Sequence, residues 1–156
     1  MVWKSEAHKD PSKIHREVAV AIFSNEDEVL LQRRSLSKTN DPGEWKITAA
    51  GHVGAKEEPE KAARREVKEE LGINITPTFF GKWFSVHEDK EARFFWIYYS
   101  ILDRKPKLIL DKDEVMDAKW IKIANLKDFA KKFPYFVNST SFKTIIEIYK
   151  TVFTGS

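Results

Sequence analysis

Apolar residues along the chain follow two rhythms. From 17 to 24 the run EVAVAIFS is β-branched and apolar, the pattern of a buried strand. The polar NEDE at 25–28 predicts a turn into a partner strand, VLLQRRS, at 29–35. Asn40, Asp41, Pro42 and Gly43 cluster as turn chemistry, and WKITAAG follows as a short strand leading into a loop. Two long apolar-aromatic segments, INITPTFFGKWFSVH and ARFFWIYYSIL, read as antiparallel partners, and DAKWIKI at 117–123 adds one more strand. The second rhythm is helical. Pro59 suits a first turn and Gly72 an end, so a helix spans about 59–71. NLKDFAKKF and SFKTIIEIYKTVF carry apolar residues at three-to-four spacing and predict two more helices. Residues 1–14 are polar, contain Pro11 and form a lead-in segment. Strands, a helix, more strands and then helices, with no repeat, linker or low-complexity tract, predict one α+β domain over 1–156.

Composition bounds what such a domain does. A length of 156 residues, 42% hydrophobic and 33% charged, suits a globular chain with a proper core. A net charge of +3, from 27 basic and 24 acidic residues, is too small an excess to argue for nucleic acid. The absence of cysteine excludes disulfides, thiolate metal sites and a cysteine nucleophile, and fits a cytoplasmic protein. The N-terminal MVWKSEAHKD lacks the apolar core of a signal peptide, and no apolar run approaches the roughly 20 residues of a membrane span.

Charge changes the picture at the helix over 59–71. At about 100° per residue, Ala63, Val67 and Leu71 share one arc and face the core. Glu66, Glu69 and Glu70 share a neighbouring arc, while Lys61, Arg64 and Lys68 fall mostly on the outer surface. Arg65 sits one turn before Glu69, close enough to orient it, and Glu66 and Glu70 are like charges four apart. A solvated helix laced with ion pairs, such as Glu60 with Arg64, does not need three acids gathered beside its core-facing stripe. A bound hard cation does: Mg²⁺ takes carboxylate oxygens and commonly bridges to substrate phosphates.

Gly51, five residues, Glu57, seven residues, then Arg65-Glu66-Val67-Lys68-Glu69-Glu70-Leu71-Gly72-Ile73 resembles the Nudix box at every position. A match of this length arises by chance with odds on the order of 10⁻⁸ at average residue usage. The resemblance implies an α/β/α sandwich with a mixed sheet and a MutT-like pyrophosphohydrolase that uses Mg²⁺ or Mn²⁺. It implies that Glu66, Glu69 and Glu70, with the backbone carbonyl of Ala50, bind the metal. Arg65 and Glu57 would hold helix and loop together, and Glu66 or Glu114 would act as the catalytic base. The implied partner is a small-molecule diphosphate, a nucleotide in this family, with neither nucleic acid nor membrane; the chain would be a monomer or a homodimer.

HREVAV, LLQRRSLSK, PGEW, AAGH and DEVMDAKW further resemble the branch related to type I isopentenyl diphosphate isomerase, from about His8 to Trp120. In that branch His8, His15 and His52, with the acidic pair Asp89 and Glu91, match a metal site. The isomerase cysteine falls at Ala50 here. With no cysteine present and an intact box, the resemblance points to hydrolysis; an isomerase-like enzyme and a non-catalytic nucleotide-binding module are the alternatives.

Arg33 and Arg34 leave the second strand on opposite faces, and one of them can clamp a phosphate; the alternative is an edge charge that resists aggregation. Lys38, in the loop before PGEW, has similar standing, and His52 is expected in the substrate site. His15 has an alternative reading as a boundary residue, and His87 matches no pattern. Most of Trp83, Phe84, Phe94, Phe95, Trp96, Tyr98 and Tyr99 must be core, leaving one or two to stack a base.

Overall fold

The computed structural model describes residues 14–86 and 92–155. Seven strands form one sheet: β1 (Ile14–Ser24), β2 (Glu28–Arg34), β3 (Trp45–Lys46), β4 (Ala49–His52), β5 (Thr78–Val86), β6 (Ala92–Leu102) and β7 (Val115–Lys122). The helices are α1 (Pro59–Leu71), α2 (Ile123–Lys131), α3 (Pro134–Val137) and α4 (Thr140–Phe153). β1 and β6 run parallel from Ile14↔Ala92 to Ser24↔Leu102, while the other pairs are antiparallel, so the sheet is mixed.

Helices cover both faces, which is why β1 is apolar on both sides rather than alternating with polar residues. Val18, Val20 and Ile22 pack in one cluster with Ala63, Val67 and Leu71 of α1. Ala19, Ala21 and Phe23 pack in a second cluster with Leu126, Phe136, Ile145 and Ile148 of α2 to α4. The result is the expected α+β, α/β/α sandwich. Among the described residues, no helix is long and apolar enough to cross a membrane.

The segment read as one strand, WKITAAG, is two strands meeting at an angle. β2 pairs with β1 at Ile22↔Leu30 and Phe23↔Val29, and β3–β4 enters where the two strands diverge. β3 runs along β2 (Gln32↔Lys46, Arg33↔Trp45), and β4 runs along β1 (Val20↔Ala49 to Glu17↔His52). Thr48 sits at the apex, fully buried. Its Oγ1 accepts from Ile22 N at 2.9 Å and donates to Leu30 O, joining the two diverging strands through one hydroxyl. A tertiary fork of this kind leaves no local periodicity.

Other boundaries differ for visible reasons. β5 begins at Thr78, after Pro77, which has no N–H to give a ladder; Ile73 and Ile75 instead bury in the α1 cluster. α3 is an extra four-residue helix opened by Pro134. The predicted lead-in, apart from Ile14, lies outside the described residues, as do His8, His87, Asp89 and Glu91.

Candidate functional site

Helix α1 begins with Pro59 and ends at Gly72, whose φ of 74° lets its N–H bond back to Lys68 O at 3.0 Å. A β-carbon at Gly72 would also lie 2.7 Å from Ile109 Cβ, so the 109–115 loop packs tightly on the helix end. That loop is tied further by Ile109 N to Leu71 O and Asp111 N to Glu70 O. These contacts fix the last two turns of α1, where the three glutamates lie.

Arg65 is the hub of the cluster. Its Nε and Nη2 grip Glu57 Oε2 and Oε1 at 2.8 and 2.9 Å, a bidentate pair. Nη2 also donates to His52 O at 2.8 Å, and Nη1 reaches Glu66 Oε1 at 2.8 Å and Glu69 Oε2 at 3.2 Å. Glu57 in turn accepts from Gly54 N at 2.9 Å. One guanidinium thus ties helix α1, the loop after β4 and the end of β4 into a unit. The Arg65 hydrogen bonds, then the Gly54 amide, hold the Glu57 carboxyl down at about 2.

The three acids have different surroundings. Glu69 is exposed and Glu66 is mostly covered, while Glu70 is buried at 6% exposure. Gln32 Nε2 donates to Glu70 Oε1 at 2.5 Å and to Thr48 O at 3.0 Å, linking the acid to the fork apex. Burial foremost, and the Glu66 carboxyl beside it, push the Glu70 carboxyl well above the usual carboxylate range. Gly51 closes the other side: a β-carbon there would lie 2.2 Å from the Glu66 carboxyl. Ala50 precedes it in β4, opposite Ala19.

This donor set fits a hard divalent cation in its chemistry: clustered carboxylate oxygens, one buried acid that forms no ion pair among the described residues, and a glycine wall with room for nothing larger. Among the described residues, no three His, Asp or Glu side chains already stand as an ion-binding group. Glu66 and Glu69 are turned onto Arg65 instead.

The remaining expected residues divide. Arg34 lies on the α1 side of β2, its Nε bonded to Asn40 O at 2.9 Å. Arg33 takes the opposite face, its guanidinium 5.7 Å over the Trp45 ring and Nε bonded to Gly43 O at 2.8 Å. Glu114 pairs with Lys38 at 2.8 Å, bridging the 109–115 loop to the loop after β2. His52 is exposed, its ring 6.2 Å from that of His15. Trp83, Phe95 and Tyr99 pack in the α2–α4 cluster, whereas Phe84 is exposed and stacks on Phe94, with Lys82 over the Phe94 and Trp96 rings.

Lys46 carries no motif and was not expected here. It stands opposite Gln32 in the β2–β3 pair, so both side chains share the α1 face. Burial lowers its ammonium pKa, Glu70 opposes that shift, and Arg34 adds to it. The available signal was a single lysine inside an otherwise uncharged strand, where an unpaired charge is costly. A cleft of about 660 Å³ opens beside it, between β3, the turn before it and the α3–α4 corner.

Known proteins resemble this chain along most of its length. The NUDIX domain family model matches residues 13–138. An isopentenyl-diphosphate Delta-isomerase of Streptomyces griseus is 32% identical over 152 residues, covering 92% of this chain and 74% of that protein. An uncharacterized Nudix hydrolase of Listeria monocytogenes is 32% identical over 129 residues, 81% of this chain and 76% of its own. A solved NUDIX hydrolase from Nitrosomonas europaea superposes with a TM-score of 0.68 at 20% identity, over 88% of this chain and 89% of that one.

Proposed function

The chain belongs to the Nudix family and is an enzyme of its pyrophosphohydrolase type, and from that premise we propose that it hydrolyses a diphosphate linkage in a nucleoside diphosphate derivative or a nucleoside triphosphate. The observation that carries this reading is the Arg65 hub, which presents Glu66 and Glu69 beside the buried Glu70 and against Gly51.

In this reading Glu66, Glu69, Glu70 and the Ala50 carbonyl hold Mg²⁺ or Mn²⁺. A divalent cation, when bound, neutralises pyrophosphate charge and makes phosphorus more electrophilic. The protein's own groups do the rest. Water adds to one phosphorus, the bridging P–O bond breaks, and the water's proton passes to a carboxylate. Glu66 takes that role more readily than Glu114, because it is covered and lies in the cluster, whereas Glu114 is committed to Lys38. Arg65 positions Glu66 and Glu69. Arg34 and His52 line the approach for the anionic substrate, and Arg33, held over Trp45, supports β3 from behind. The whole chain is taken as one such domain, working in the cytoplasm.

The isomerase name of a relative suggests a second chemistry. Ala50, at the position the isomerase branch gives to cysteine, has no proton to transfer, and the chain has no cysteine to take its place. The test is a phosphate-release screen over nucleoside di- and triphosphates, dinucleoside polyphosphates and nucleotide sugars with Mg²⁺ and Mn²⁺. Metal-dependent release that disappears in Glu69→Gln supports hydrolysis. Conversion of isopentenyl diphosphate without phosphate release overturns it.

A further inference from the structure

Two cations stand beside the acidic turns of α1, and they are used differently. Arg65 commits its charge to carboxylates, reaching Glu57, Glu66 and Glu69 at 2.8, 2.8 and 3.2 Å. Lys46 approaches the cluster from the sheet. It is the cross-strand partner of Gln32, whose amide holds Glu70 Oε1 at 2.5 Å, and it shares the α1 face with that glutamine. Lys46 is half-buried, yet its ammonium makes no ion pair or side-chain hydrogen bond among the described residues. Asp41 and Glu44 line the cleft on its other side, but Asp41 accepts from Tyr135 O–H at 2.6 Å and neither acid pairs with Lys46. Burial works against the charge on Lys46, and the carboxylates of Glu70, Glu17 and Glu66 sustain it. Two of those three acids are the ones the hydrolase reading gives to the metal.

We propose that Lys46 makes ion binding conditional on the diphosphate: it opposes a divalent ion that binds the acidic turns alone and favours one that binds together with a diphosphate. The reason is charge. An ion on Glu66 and Glu70 takes over the carboxylates that offset Lys46, and two positive charges then face each other in a partly desolvated place. A diphosphate brings negative charge against both and turns that repulsion into attraction. Arg65 cannot play this part, because its guanidinium is already matched by three acids. Linkage makes the effect reciprocal, so the same lysine makes diphosphate binding depend on the ion. The identity of the two ligands rests on the hydrolase reading; their coupling through Lys46 goes beyond it.

The test measures free Mn²⁺ by electron paramagnetic resonance in titrations of wild type, Lys46→Met and Lys46→Arg, each with and without the methylene-bridged analogue of ADP. A protein-free titration gives the Mn²⁺ held by the analogue in solution, which is subtracted. In the wild type the analogue should tighten Mn²⁺ binding by at least about 10-fold. Lys46→Met should bind Mn²⁺ alone about 3- to 10-fold more tightly than wild type, and the analogue's effect should shrink by about 5- to 10-fold. Lys46→Arg keeps the charge and should match wild type within about threefold on both measures. A lysine with a merely structural role would give the opposite sign, with Mn²⁺ held more weakly once it is replaced. Circular dichroism checks the fold, and Lys46→Gln is read by the same criterion should Lys46→Met not fold. Mn²⁺ affinity that is unchanged or weaker in the neutral variant, or an analogue effect as large as in wild type, overturns the proposal alone. No bound Mn²⁺ in the wild type would sink the metal reading and the proposal with it.

Discussion

Two glycines flank the acidic turns of α1, and alanine at each should fail in opposite ways. At Gly51 a β-carbon would lie 2.2 Å from Glu66 Cδ and Oε1 and 2.5 Å from Oε2. The backbone there is not left-handed, so alanine itself is tolerated. The clashing atoms are the far end of a flexible side chain, and they escape by moving about 1 Å, a shift that costs catalysis on the order of 100-fold when it displaces a working group. That is about 2.7 kcal/mol of barrier. The stability loss should stay at about 1 kcal/mol, because what loosens is the Arg65–Glu66 contact, whose arginine is 36% exposed. At Gly72 the φ of +74° disfavours any side chain, and the clash at 2.9 Å is with the Ile109 backbone oxygen, which cannot rotate away. Gly72→Ala should therefore lose about 2 kcal/mol or more of stability while its folded fraction stays active. Urea denaturation paired with metal-dependent phosphate release separates the two. If Gly51→Ala keeps kcat/KM within about threefold of wild type, or loses activity only as it loses folded protein, the placement of Glu66 is not what catalysis needs.

Three further outcomes follow from the same contacts. Arg65→Lys can reach one carboxylate but cannot bridge Glu57, His52 O and Glu66, so thermal melting should fall by about 3–8 °C, for ~1–2 kcal/mol; an unchanged melting temperature would refute the hub. The Glu57 carboxyl is held at about 2 against an ordinary 4.5, so its stabilisation is complete above pH 4.5 and is lost as pH falls toward 2. Discounted for the exposure of Arg65, this is worth ~1–2 kcal/mol, a little over half of which is lost by pH 3, so urea titrations at pH 7 and pH 3 should show wild type losing about 1 kcal/mol more than Glu57→Gln. Thr48→Val keeps the shape of the fork apex but leaves the buried Ile22 N–H unbonded, which should cost about 1–3 kcal/mol by chemical denaturation; a neutral result would show that water or another group serves the fork.

The bounds of α1 were legible because its signals are local: Pro59, Gly72 and an apolar stripe over Ala63, Val67 and Leu71. The box residues were legible for the same reason, since one helix and the loop before it carry them all. What the sequence hid is tertiary. Glu70 shares its helix arc with Glu66, yet its burial comes from Gln32 across the sheet, 38 residues away. The β3–β4 angle depends on β1 and β2 diverging around Thr48, and no period in WKITAAG encodes that. The parallel β1–β6 pairing joins strands far apart in the chain, and pairing at that distance has no signature in either strand alone. Lys46 and Tyr135 stood outside every motif because each acquires its setting only when the fork and the α3–α4 corner meet.

The central claim is that the acidic turns of α1 hold a divalent ion. Electron paramagnetic resonance of Mn²⁺, titrated into the protein with a methylene-bridged nucleoside diphosphate present, tests it without relying on turnover. The account predicts bound Mn²⁺ in the wild type, and binding weakened by at least about 10-fold in both Glu69→Gln and Glu70→Gln with the fold intact by circular dichroism. Mn²⁺ affinity unchanged in both variants, or no bound ion in the wild type, would contradict it.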